Sequence, residues 1–230
     1  MRAFIFLFIS LLSPLVQAFE LFPMVSFFSA QGSKTEQSFQ INNTTNQPLP
    51  LEVFVKQRQV SDSNTEKLID TEDFFIFPPQ VLVPPSSTQM IKVKYIGDDV
   101  SRSQSYRVIF SQLPIKDDVA QSSIKMLFQI GALAFVSPDN VTNLMSANIT
   151  YKNNVPVAME LANDGNGVVI IPQLSFTVTS EHQTYHWKWQ DIQHLLSQQY
   201  LVPGESISIA MNTLLSPQDR QVKVEIKEIW

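Results

Sequence analysis

Tyr106-Arg-Val-Ile-Phe-Ser-Gln-Leu-Pro-Ile115, then a polar loop, then Ile124-Lys-Met-Leu-Phe-Gln-Ile-Gly-Ala-Leu-Ala-Phe-Val-Ser-Pro138 is the stretch that decides how this chain folds. Both runs are dense in β-branched and aromatic residues and read as strands. In the second, Ile124, Met126, Phe128 and Ile130 recur at the period of two that a strand imposes, so they share one face. The opposite face, with Lys125, Leu127, Gln129 and Gly131, is mixed. The row holds more bulky apolar residues than one core needs. A strand that can offer such a row to something outside its own domain is a recognition device.

Outward from this stretch the pattern stays β. The first half predicts strands at Met24–Phe28, Gln37–Asn42, Leu49–Gln57, Phe74–Phe77, Gln89–Tyr95, Ser105–Leu113 and Ile124–Val136. Seven strands is the number of an immunoglobulin-like sandwich. Pro78-Pro79 and Pro84-Pro85 bracket Val81-Leu82-Val83. Prolines cannot donate to a ladder, which puts that segment at an edge or in a crossover. The pattern breaks at Ser137-Pro138-Asp139-Asn140 and restarts with strands at Ala147–Lys152, Ala158–Ala162, Val168–Val178, Tyr185–Trp189, Ser206–Met211 and Val222–Ile229. Asp191–Gln199 alone has a helical face, through Ile192, Leu195 and Leu196. The expected fold is all-β, with two immunoglobulin-like β-sandwich domains at 19–138 and 142–230.

Residues 1–18 are set apart. Arg2 begins a largely apolar run that ends in Val16-Gln17-Ala18, the signature of a secretory signal peptide cleaved near Ala18. The run is too short and broken to span a bilayer comfortably, and no direct membrane insertion is expected. The leader holds one Arg and no acid, so the remainder is one charge more acidic than the whole chain's −5. That balance, with no basic run, excludes nucleic acid as a partner. The chain has no cysteine, which removes disulfides, thiolate metal sites and cysteine nucleophiles. His182 and His186 lack an obvious third ligand, and no phosphate-binding or nucleophile-elbow motif is present. No catalytic residue, metal or cofactor is expected.

Three stretches carry a family resemblance: Phe77-Pro-Pro-Gln-Val-Leu-Val-Pro-Pro85 with the basic strand Gln89–Tyr95 behind it, Tyr106–Ile115, and Ile124–Pro138. Together they resemble the periplasmic pilus chaperones of chaperone–usher pathways. The resemblance implies a boomerang of two immunoglobulin-like domains that lends a strand to a pilus subunit lacking its own last one. Strand donation between chaperone and pilin is an established instance of β-augmentation. It implies that Ile124, Met126, Phe128 and Ile130 fill the subunit's groove, worth about 6–12 kcal/mol gross if all four are newly buried. It also implies delivery to an outer-membrane usher, location in the periplasm, and release when another subunit's extension replaces the lent strand.

The chain departs from the large conventional branch in one respect. That branch grips the subunit's C-terminal carboxylate with a lysine late in the donor strand and an arginine in the first strand. Ile130–Pro138 contains no lysine and Met24–Phe28 no arginine. The combination is closer to the archaic or alternative branch. A buried terminal carboxylate still needs a cation, and the candidates are Arg107, Lys92 and Lys94. Arg107 leads, because a guanidinium holds a carboxylate through two parallel hydrogen bonds. The rival reading is an exported two-domain pilus subunit or adhesin that accepts a donated strand.

Overall fold

The computed structural model describes residues 19–60, 65–115, 126–216 and 218–229. In the first half the strands are β1 (Glu20–Phe22), β2 (Val25–Ser29), β3 (Glu36–Asn42), β4 (Leu49–Val60), β5 (Glu66–Asp70), β6 (Phe74–Phe77), β7 (Gln80–Val83), β8 (Thr88–Tyr95), β9 (Gln104–Gln112) and β10 (Gln129–Ser137). They make two facing sheets, one ordered β1-β3-β8-β6 and the other β2-β10-β9-β4-β5, with β7 also paired to β4. Alternation drives the packing. On β8, Ile91, Val93 and Tyr95 are buried while Met90, Lys92 and Lys94 are exposed. Phe39, Ile41, Leu51, Ile91, Tyr106 and Phe110 close the core between the sheets.

Three of these strands go beyond the expected seven, and all three are short. β1 and β5 end their sheets, and among the described residues β7 pairs with β4 alone. The proline-bracketed segment is therefore at an edge, where a missing donor costs least.

The second half contains β11 (Met145–Lys152), β12 (Val155–Asn163), β13 (Val169–Ile170), β14 (Leu174–Ser180), β15 (Thr184–Trp187), a single-turn helix α1 (Trp189–Ile192), β16 (Tyr200–Leu201), β17 (Ser206–Ala210) and β18 (Val222–Glu228). Sheets β11-β12-β17 and β15-β14-β18 enclose a separate core of Met159, Leu161, Ile171, Leu174, Phe176 and Ile209. The expected strand Val168–Val178 is broken by a 3-10 turn at Ile171–Gln173. Pro172 lies inside that turn and has no N–H to give a ladder. The expected helix also shifts: it starts at Trp189 and tightens to a 3-10 turn by Gln193–Leu195. The Asp191 carboxylate accepts the Lys188 N–H at 2.8 Å, which caps its first turn.

The two sandwiches touch through three kinds of contact. Ser103 N–H donates to Asn166 O at 2.8 Å. Arg58 Nη1 meets Glu205 Oε1 at 3.2 Å, with side chains only 9% and 11% exposed. Tyr200 packs against Phe27 and Phe135, with centroids 6.2 and 5.3 Å away.

Candidate functional site

β10 is the strand on which the site is built. Its pairing with β9 runs antiparallel from Gln129↔Ser111 to Val136↔Gln104. On its other side β2 runs parallel and begins only at Leu133↔Val25. Leu133 N–H donates to Met24 O at 2.9 Å, so Leu133 points its backbone toward β2. Strand geometry then turns the N–H and C=O groups of Gly131 and Gln129 the same way. Among the described residues no strand pairs with them on that side. This is an open edge on an otherwise paired strand.

The inner face of β10 changes along its length. Ala132, Ala134 and Val136 are fully buried in the first sandwich's core. Ile130 and Phe128 pack on that same core but are only partly buried. Met126 is 70% exposed. The apolar row therefore runs out of the end of the sandwich, and side-chain size grows as it leaves. A cavity of about 300 Å³ opens there between Met126, Phe128, Phe19, Pro48, Leu49 and Gln112. Phe128 is held by the edge of β9, since Gln112 N–H donates to Phe128 O at 2.9 Å. Ile124, the fourth member of the row, lies outside the described residues, as does the polar loop before it.

The motif Tyr106-Arg107-Val108 alternates across the sheet. Tyr106 and Val108 are fully buried, and Arg107 stands on the outer face. The Tyr106 hydroxyl donates to Asp73 Oδ2 at 2.9 Å and lies 2.6 Å from Gln104 Oε1. Burial, and then its bond to Asp73, push its pKa well up.

Arg107 is already engaged. Its Nε reaches Glu66 Oε1 at 3.0 Å and its Nη2 reaches Glu66 Oε2 at 2.8 Å. The same Oε2 accepts Arg58 Nε at 2.8 Å. The hydrogen bond from Arg107 is the main reason that the Glu66 pKa lies below its ordinary value, against the opposing effect of burial. Beside this pair a cavity of about 430 Å³ is lined by Leu68, Ile109, Gln129 and Gly131. A Cβ on Gly131 would stand 3.6 Å from Arg107 Cδ, so the arginine stem lies across the strand where a side chain is missing.

Lys92 and Lys94 are elsewhere. Both stand on the outer face of the opposite sheet, opposite Phe77 and Phe75 on β6. Lys92 pairs with Glu36 at 3.0 Å in solvent. The structure thus does not bring the three candidate cations together. Sequence reasoning missed Glu66, Arg58 and Glu205. Glu66 begins a short edge strand whose alternation, Glu-Lys-Leu-Ile-Asp, carries no strong apolar signal.

Residues 26–142, just over half of the chain, match the family described as pili and flagellar-assembly chaperone, PapD N-terminal domain. No curated protein matches. Among solved structures, the Class 5 fimbriae chaperone CfaA is similar at 12% identity and a TM-score of 0.61, over 91% of this chain and 99% of that one. The CsuC–CsuE chaperone–tip adhesion subunit complex, from the archaic chaperone-usher Csu pili of Acinetobacter baumannii, gives 12% and 0.57, over 92% and 98%. The SafA pilin–SafB chaperone complex of Salmonella enterica gives 12% and 0.56, over 86% of each chain. The fold is that of two-domain immunoglobulin-like fimbrial chaperones, and by its match over residues 26–142 this chain belongs to the pili and flagellar-assembly chaperone family.

Proposed function

We propose that the chain is a periplasmic chaperone that captures pilus subunits by strand donation from β10 and passes them to an outer-membrane usher. The open edge at Gln129–Ala132, beside an apolar row leaving the core, is the observation that carries this reading. A subunit lacking a strand exposes a groove and unpaired backbone, and β10 can satisfy both. Because the row continues the chaperone's own core, guest and host would share one apolar interior. The gain is smaller than four fresh residues would give. Phe128 and Ile130 are already half-buried, so Met126, Phe128 and Ile130 together contribute about 3–6 kcal/mol gross.

A guest strand running parallel to β10 would lie in line with β2 and end level with Leu133. The register partner of Leu133 on β9 is Arg107, which supports Arg107 as anchor for the guest's terminal carboxylate. Lys92 and Lys94, on the other sheet, have no such relation to the edge. The proposed domain limits are 19–138 and 142–230, with export directed by a leader at 1–18, and the archaic or alternative branch is the comparison for the anchor. The work is binding, not bond chemistry. Among the described residues no helix is long and apolar enough to cross a membrane.

The test uses Met126→Asp and Phe128→Asp, because Met126 can be changed with little effect on the fold. Pull-down from periplasmic extract with mass spectrometry should show pilus subunits on the wild type and none on either variant. Subunit recovery at wild-type yield on both would reject donation by this face.

A further inference from the structure

We propose that Glu66 is an internal stand-in for the guest carboxylate at Arg107, making the anchor selective for a carboxyl terminus delivered by a paired strand. This rests on the reading of Arg107 as the anchor. The geometry of the pair is the starting point. Arg107 Nε to Oε1 at 3.0 Å and Nη2 to Oε2 at 2.8 Å form the two parallel bonds that a terminal carboxylate would make. The anchor is therefore occupied by a chemically equivalent group before any guest arrives.

Glu66 is also placed to leave. It is the first residue of β5, the outer strand of its sheet, which among the described residues pairs with β4 alone. Strand ends at a sheet edge are among the parts of a fold that open at least cost. A displaced Glu66 can keep a cationic partner, because Arg58 Nε also holds its Oε2 at 2.8 Å. Exchange therefore leaves no carboxylate unpaired.

A path to the guanidinium is present on the guest's side. Arg107 Nη1 is 3.5 Å from Gly131 O, a weak contact that leaves that nitrogen available. Gly131 has no side chain to block the approach, and the cavity beside it is lined by Gln129 and Gly131 of β10 as well as by the arginine. A free anion entering this cavity would exchange one bidentate pair for another, with almost no gain. A carboxylate tethered to a strand already paired on β10 arrives at high effective concentration and wins the exchange. Glu66 thus acts as a filter that couples carboxylate binding to strand pairing.

The test measures affinity of the mature chain for a short synthetic peptide of alternating valine and threonine, made once with a free C-terminal carboxylate and once as the amide. The wild type should prefer the acid form. In Glu66→Gln that preference should widen by roughly tenfold, the worth of about one charge-assisted hydrogen bond. Glu66→Asp, which keeps the charge with a shorter reach, should fall between and carries the comparison if the Gln variant fails to fold. Arg107→Ala should bind both peptides equally. A wild-type preference that neither Glu66 variant changes overturns the stand-in while leaving the anchor in place. Equal binding of acid and amide by the wild type overturns the anchor and the filter together. Binding of neither peptide rejects strand capture itself and with it this inference.

Discussion

Asn43 and Asn163 hold the same kind of turn in the two sandwiches, and both are completely buried. Asn43 Nδ2 donates to Gln47 O at 2.8 Å and shares its other hydrogen between Val83 O and Pro84 O at 3.1 and 3.0 Å, while its Oδ1 accepts Thr45 N–H at 3.1 Å. Asn163 Nδ2 donates to Gly167 O and Leu201 O, both at 2.8 Å, and its Oδ1 accepts Gly165 N–H at 3.0 Å. Their backbones match as well, with Asn43 N–H on Ser87 O and Asn163 N–H on Glu205 O. One amide thus ties a turn to the chain that enters the next strand in each domain. Replacing either by alanine strands buried carbonyls, so Asn43→Ala and Asn163→Ala should each cost about 2–4 kcal/mol. Denaturant melts check this, and a loss under about 1 kcal/mol would show that water replaces the amide. In the sequence these clusters read as turns and no more. Nothing in Asn43-Thr44-Thr45 or Asn163-Asp164-Gly165 says that the asparagine points inward, because its distant acceptors are separated from it by about 40 residues.

Strand β10 shows where periodicity is informative and where it stops. The period of two placed Met126, Phe128 and Ile130 on one face with Ala132, Ala134 and Val136. It could not locate the end of the sandwich, since a residue facing its own core and one awaiting another's have the same spacing. That boundary follows from where β2 begins, and β2 begins at Val25. The short strands β1, β5 and β7 were not legible as such for a related reason: tertiary pairing, not local propensity, makes three to five residues a strand. Backbone direction along β10 also makes a prediction. Gln129 aims its N–H at the open edge, so Gln129→Pro removes one edge donor while the β9-facing bonds of Ile130 and Phe128 stay. Subunit recovery should fall severalfold with the melting temperature little changed. A variant that captures normally would move the docking edge elsewhere.

Between the two sandwiches a chain of alternating charge runs from Arg107 through Glu66 and Arg58 to Glu205. Its last member sits in the interface, where burial outweighs the attraction of Arg58 and raises the Glu205 pKa above its ordinary 4.5. A raised carboxylate pKa means that the folded state favours the protonated form. That stabilisation is complete below 4.5 and is lost as pH rises through the higher folded-state value. Glu205→Gln fixes the neutral form, so it should gain stability relative to wild type as pH climbs from roughly 4 to 8. Paired thermal melts across that range read the difference, and a flat profile would show that Glu205 is solvated in solution. The lowered pKa of Glu66 acts in the opposite sense, but it is present in both proteins and largely cancels. None of this network is legible in the sequence, because its members come from three strands and a turn far apart in the chain.

β2 lies beside only the last five residues of β10. What remains uncovered is a slot of few rungs, from Gln129 to Ala132. At roughly 3.3 Å per residue such a slot is much shorter than a full sandwich strand. On the proposed reading of β10 as a lent strand, a rival segment able to ladder along more of the guest's groove would displace it stepwise, and the brevity of the contact would favour that exchange.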